Sequence, residues 1–215
     1  MTAGNAGTGV PLFHSGKTYS LRTILLCLLI FGLAYGLMMG TYSGLSGRRL
    51  QLLYSAVKVP MLLLVSFIIA LPSFFVINTL LGLRDDFRDA LRALIQAQAA
   101  LVIVLASLGP LTMFWYVSHA GYQEAIVFNG LMFLIATLAA QFVLRRLYRP
   151  LIARDRRHRA MLALWMVLYA FIGIQMGWVL RPFIGEPGSA VQFFREGAWG
   201  NAYVELLTIL SKALS

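Results

Sequence analysis

The stretch KVPMLLLVSFIIALPSFFVINTLLGL, residues 58–83, decides the fold. After Lys58 it runs 25 residues without an acidic or basic side chain. At about 1.5 Å of rise per residue such a helix exceeds the ~30 Å hydrocarbon core of a bilayer. A soluble domain of this size has no way to bury a helix that is apolar all round, whereas lipid requires one, because a helix satisfies its backbone groups internally. The stretch therefore reads as a transmembrane span, placed at Tyr54 to Leu83. Pro60 falls in its first turn, where a missing N–H matters little. Pro72 lies in mid-span and predicts a kink that frees a carbonyl near Ile68.

Four further runs have the same character: Thr23 to Gly44, Ala93 to Val117 with Pro110 toward its end, Ala125 to Leu144, and Met161 to Ile184. The composition agrees. Hydrophobic residues make up 60% of the 215-residue chain and charged residues only 12%, about half the charged share of an ordinary soluble domain. Five spans use most of the length and leave no room for a separate soluble domain. The expected fold is all-α, a polytopic membrane bundle of about five transmembrane helices over residues 22–184, preceded by a flexible cytoplasmic tail over 1–21. The first run lacks an Ala-x-Ala cleavage site behind a short apolar core, so it is read as a retained helix and not as a signal peptide. Beyond a turn at Glu186-Pro187-Gly188, residues 202–214 set Val204, Leu207, Ile209 and Leu210 against Glu205, Ser211 and Lys212. That segment is too short to span and reads as an external, interfacial amphipathic helix.

Charge sets the expected orientation. The formal net charge is +10. Lys17, Arg22, Arg84, Arg88, Arg92, Arg145, Arg146, Arg149, Arg154, Arg156, Arg157 and Arg159 fall on one side, twelve in all. Arg48, Arg49, Lys58, Arg181, Arg195 and Lys212, six, fall on the other. The positive-inside rule then places the N-terminus in the cytoplasm, with the Arg48-Arg49 pair as the main dissent. Basic residues beside apolar spans serve topology and anionic headgroups, so nucleic acid is not an expected partner, whereas membrane lipids are.

Gly32, Gly36, Gly40 and Gly44 recur every fourth residue in the first span, and Gly173 and Gly177 repeat the spacing in the fifth. Lipid supplies no hydrophobic force between helices, so a glycine face gains its contact energy by letting two backbones touch. These faces are read as helix-packing surfaces, within the chain in the first reading and between chains in the second. The first span therefore has four glycines in register.

Ionisable side chains deep in lipid are costly and mark function, and none is placed near a midplane here. That argues against a proton- or ion-coupled pump. The interior polar groups are amides: Asn78, Gln98, Asn129, Gln141 and Gln175, read as interhelical hydrogen-bonding groups with a pore lining as the alternative. Lys58, Arg181 and Glu186 sit at span ends, where they are expected to snorkel toward headgroups. Arg181, Glu186, Arg195 and Trp199 form a candidate interface or lipid contact. Asp86 is expected to cap the third span, and the neighbouring Asp85 to be solvated. The arginine cluster from Arg145 to Arg159, broken by Pro150, is read as a topology signal, with binding of an anionic lipid or an acidic partner protein as the alternative.

Nothing points to catalysis. Cys27 is the only cysteine, and His14, His119 and His158 lie far apart, so no metal site or cofactor is expected. Phosphate loops, a His-Glu-x-x-His motif and a Ser-His-Asp arrangement in a recognisable context are missing from the chain.

Lys58-Val59-Pro60 leading to Leu71-Pro72-Ser73, with Gln175-Met176-Gly177-Trp178 and Leu180-Arg181-Pro182-Phe183 followed by Phe193-Phe194-Arg195, resembles a family of uncharacterised bacterial multipass membrane proteins. The match covers most of spans two to five and is more distantly similar to the Yip family. That resemblance implies five spans, a cytosolic N-terminus and a non-enzymatic role in membrane organisation through partner proteins. The expected function is a structural or assembly subunit of a bacterial inner-membrane complex, with a protein partner or a second copy of the chain as its counterpart. A channel or transporter lined by the amides, and a lipid-handling enzyme built on Arg181, Glu186 and Arg195, are the alternatives.

Overall fold

A computed structural model of the chain describes residues 21–44, 49–118, 121–185, 188, 190–195 and 198–204. Five helices carry the fold: α1 (Leu21–Gly44), α2 (Arg49–Leu80), α3 (Phe87–Ser118), α4 (Tyr122–Arg154) and α5 (Arg157–Val179), with a short 3-10 turn at Arg84–Asp86 before α3. All five are long and apolar enough to cross a membrane, and among the described residues there is no strand. The protein is a multipass, all-α helix bundle.

Several helices outrun the spans read from hydropathy. Lipid thickness limits only the apolar part of a helix, and nothing forces a helix to stop at the headgroups. α4 has 33 residues, about 50 Å of helix, and so continues well past the bilayer core. Its arginines are good helix formers, and Pro150 lies inside the helix, which runs on past the expected end at Leu144. α4 stops only at Asp155, whose backbone is extended. Likewise α2 starts at Arg49, so Pro60 stands well inside the helix and not in its first turn. α5 ends at Val179, short of the expected Ile184, because Pro182 has no N–H to donate and disfavours helix in the residue before it.

α1 packs against both α2 and α3, α4 packs against α3, and α5 packs against α2 with a lighter contact to α4, so the five helices close into a ring. Two apolar cores are stacked inside it. One gathers Tyr35, Met39, Val59, Leu63, Leu105, Met132 and Ala136 from α1 to α4. The other, toward the arginine-rich end, gathers Phe74, Leu94, Leu144, Tyr148, Met161 and Trp165 from α2 to α5.

The α1 glycines explain the closest contact in the ring. A Cβ on Gly36 would lie 2.5 Å from the Ser55 carbonyl oxygen and 2.7 Å from Ala56 Cα, and one on Gly40 would lie 2.9 Å from Leu52 Cα. A Cβ on Gly32 would meet the Pro60 ring at 3.1 Å. At Gly36 and Gly40 backbone meets backbone, and only glycine fits. This face packs within the chain. The packing of Gly44 lies outside the described residues.

The α5 glycines behave differently. A Cβ on Gly173 or Gly177 would meet nothing within 4 Å, so the expectation that they pack within the chain fails for the described residues. α5 instead crosses the bundle rim with Val167, Phe171 and Ile174 exposed.

Candidate functional site

At the end of the bundle opposite the arginine-rich loops, the chain leaves α5 and folds back over α1 and α2. Residues 182–184 are not helical, so their carbonyls need partners from outside the segment. Side chains of the two neighbouring helices supply them. Lys58 Nζ donates to the Pro182 carbonyl at 2.6 Å, and Gln51 Nε2 donates to the Pro182 and Phe183 carbonyls at 3.3 and 3.0 Å. The Ser55 hydroxyl bonds the Phe183 carbonyl, and the Ser43 hydroxyl bonds the Ile184 carbonyl. Gly185 follows with φ of 67°, and a Cβ there would strike Gln51 and Ser43, each at 2.9 Å. Glycine is required at this position by both conformation and space.

Lys58 was expected to snorkel. It is instead 0% exposed and turned inward, with Nζ 5.0 Å from the centroid of the Phe193 ring. The physical reason is that Pro182 places an unpaired carbonyl within the lysine's reach, and a charge-assisted bond inside the bundle replaces the one to headgroups. Tyr54 packs edge-on against Phe193 at 5.2 Å, fixing that ring over the amine.

The descending part of the tail is held by α5. The Arg181 and Arg195 guanidinium groups lie 3.5 and 4.2 Å from the Trp178 ring, so the two arginines expected at an interface do converge, on an indole. Glu186 lies outside the described residues. Trp199 is 81% exposed and meets the Phe194 ring at 5.9 Å. Gln175, expected in the helix interior, instead faces the tail: its Nε2 donates to the Gly200 carbonyl and its Oε1 accepts from the Ala202 N–H, both at 3.0 Å. Tyr203 stacks on Phe171 and donates to its carbonyl at 2.7 Å. The described start of the C-terminal segment thus lies along α5, eight residues below the end of that helix. Residues 205–215, where the rest of the amphipathic helix is expected, lie outside the described residues.

Inside the ring the amides divide. Asn129 is buried and joins three helices: its Oδ1 accepts from Tyr35 at 3.3 Å, and its Nδ2 donates to Tyr116 at 2.5 Å and to the Ala125 carbonyl at 2.7 Å. This is the interhelical role expected of it. Asn78 is fully buried, and neither polar atom of its amide has a hydrogen-bond partner among the described residues. The Oε1 atoms of Gln98 and Gln141 are buried and likewise without one.

A second polar node lies at the arginine-rich end, and sequence reading missed it. Asp86, expected to cap α3, turns away from the helix. Its Oδ2 lies 3.1 Å from His158 Nε2, and its Oδ1 pairs with Arg154. An ionised carboxylate only accepts, so Nε2 carries the proton. Arg157 of α5 donates to the Leu81 carbonyl at 3.2 Å, and the Tyr148 ring stands edge-on to His158. The ends of α2, α3, α4 and α5 are tied at one point. His158 is 0% exposed, and its hydrogen bond, with help from Arg154, holds the Asp86 carboxyl below the usual carboxylate range. The only signal in the sequence was a histidine embedded in an arginine-rich loop, 72 residues from its partner.

Hydrogen bonds and ring contacts build both sites, while Tyr148 Oη, His158 Nδ1, Trp178 Nε1 and Arg195 Nε are buried without a hydrogen-bond partner among the described residues. Among the described residues no group of His, Cys, Asp or Glu could hold a metal ion. Comparison of the chain with protein-family models, with curated proteins and with solved structures found no match.

Proposed function

We propose that the chain is a non-enzymatic subunit of a membrane complex, seated in a bacterial inner membrane with its N-terminus in the cytoplasm. One observation carries this reading: among the described residues, the glycine face of α5 is open. Exposed Val167, Phe171 and Ile174 are what lipid itself would select. Glycines are not, because an uncovered glycine in a helix forfeits side-chain contact and gains nothing. Gly173 and Gly177 gain from their position when another helix backbone lies against them. α5 is also the least buried span, 17% of its most apolar window against 39% for α3.

The strongly exposed Trp199 and its neighbour Phe194 continue an apolar surface at the tail end, a composition favoured at protein contacts. The orientation rests on the positive-inside rule, twelve basic residues against six. The resemblance to the Yip family supports the same kind of role, exerted through partner proteins.

The test is assembly state in mild detergent or nanodiscs, by native mass spectrometry, of the full chain and of the Gly173→Leu/Gly177→Leu variant. A Cβ at either position meets nothing within 4 Å among the described residues, so the variant is expected to fold and to lose its self-association or its co-purifying partner. A wild-type chain that runs as a monomer and binds no protein would overturn the proposal.

A further inference from the structure

Of the seven arginines from Arg145 to Arg159, two have partners among the described residues and five are exposed with no carboxylate within ion-pair distance, three of these on one stretch of α4. Arg154 is held by Asp86 and Asp89, and Arg157 by the Leu81 carbonyl. Arg145, Arg146 and Arg149 are exposed, and among the described residues no carboxylate lies within ion-pair distance of any of them. These three and Phe142 line an open cleft of ≈ 370 Å³ between side chains of α4 alone. The cleft therefore combines three unneutralised guanidinium groups with one aromatic ring.

Depth adds a second observation. α4 begins at Tyr122 on the opposite side, and about 20 helical residues cross the hydrocarbon core, which brings the lipid boundary to Phe142. Below it on the same helix, Val127, Leu131, Leu134 and Leu138 are exposed at alternating spacings of four and three residues, forming one continuous outward stripe. Phe142 is itself 69% exposed and extends the stripe to the cleft. An apolar track the length of an acyl chain thus ends under a triad of cations.

We infer that Arg145, Arg146 and Arg149, with Phe142 as their apolar floor, form a binding site for an anionic phospholipid, whose phosphodiester sits in the cleft while an acyl chain lies along the outer stripe of α4. Charge complementarity selects the headgroup, since a guanidinium fork matches two phosphate oxygens and a zwitterionic lipid carries its own cation. The stripe selects a lipid over a free anion. This inference is independent of the assembly role proposed above.

The experiment uses the full chain, delipidated in detergent and titrated with short-chain phosphatidylglycerol, short-chain phosphatidylcholine or inorganic phosphate, with bound lipid read by native mass spectrometry. Phosphatidylglycerol is expected to bind about tenfold or more tighter than phosphatidylcholine, and phosphate is expected not to compete at equal concentration. R145Q/R146Q/R149Q is expected to abolish the preference. R84Q/R88Q/R159Q removes the same charge from the same side and is expected to keep it. If the first triple variant does not accumulate, the single variants R145Q and R149Q carry the same test, each with about a threefold loss. Equal losses in both triple variants would reduce the effect to diffuse charge and overturn the site. Full competition by inorganic phosphate would do so as well, by showing an anion site without lipid.

Discussion

Asp86 and His158 stand 72 residues apart in sequence and 3.1 Å apart in space, and their contact joins the start of α3 to the start of α5. The pair matters because His158 is fully buried while Asp86 keeps 18% of its side chain exposed. Removing the carboxylate leaves a buried ring donor without an acceptor, at a cost of about 1–3 kcal/mol. Asp86→Ala and His158→Ala are each expected to lower unfolding stability in detergent by that order. The double variant should lose less than the two losses added together. Strict additivity would show that the contact carries no coupling. The pH dependence follows from the direction of the shift. A carboxyl whose folded pKa is depressed contributes stability above its unfolded value of about 4 and loses it as pH falls through the lower folded value. Wild-type stability should therefore drop more steeply than that of Asp86→Asn below about pH 4.

The glycines of α1 and α5 look alike in sequence and are expected to respond oppositely to the same substitution. Gly36→Ala drives a Cβ into the backbone of Ser55 and Ala56, which yields only if the two helices separate. A loss of about 1–3 kcal/mol is expected, as for other overpacked sites. Gly32→Ala meets the Pro60 ring at 3.1 Å, where a small shift suffices, and should cost less. Gly173→Ala meets nothing within 4 Å among the described residues, and alanine's helix propensity makes it neutral or slightly stabilising for the isolated chain. Thermal unfolding of the three variants in one detergent tests the order. An equal effect at Gly36 and Gly173 would contradict it.

How much of this was legible in the sequence depends on the range of the interaction. The spans follow from uninterrupted apolar runs, a local property, and all five appear. The close approach of α1 to α2 follows from the four-residue glycine spacing, which fixes a helix face, though not which helix covers it; hence Gly36 and Gly173 read alike. Asn129 was legible as a buried amide that needs partners, but its tyrosines come from α1 and α3. Lys58 and Gln175 were misplaced for one common reason. The group that claims each belongs to the segment after α5, whose path no local pattern in the sequence specifies. Helix ends were misjudged because lipid thickness limits hydrophobicity and not helicity, as the arginine-bearing end of α4 shows.

The docking of that tail supplies the last prediction, centred on Lys58. Its amine is the only charged donor to the Pro182 carbonyl among the described contacts, and Gln51 supplies the second, longer bond. Replacing a buried charge with an apolar side chain of similar volume is often neutral for global stability, so unfolding alone does not report on the contact. The local effect is different. Lys58→Met leaves the Pro182 carbonyl with the weaker bond, and hydrogen bonds to charged groups contribute about 1.5–3 kcal/mol. Opening of residues 180–185 should become about tenfold or more frequent, because each 1.4 kcal/mol is about a factor of ten. Amide hydrogen exchange read by mass spectrometry, in wild type, Lys58→Met and Gln51→Leu, measures it. The expected pattern is faster exchange across residues 180–185 in both variants, with the Asn129 region of α4 unchanged. Uptake in the tail identical to wild type in Lys58→Met would mean that the aromatic contacts of Phe193 and Trp178 hold the segment without the amine.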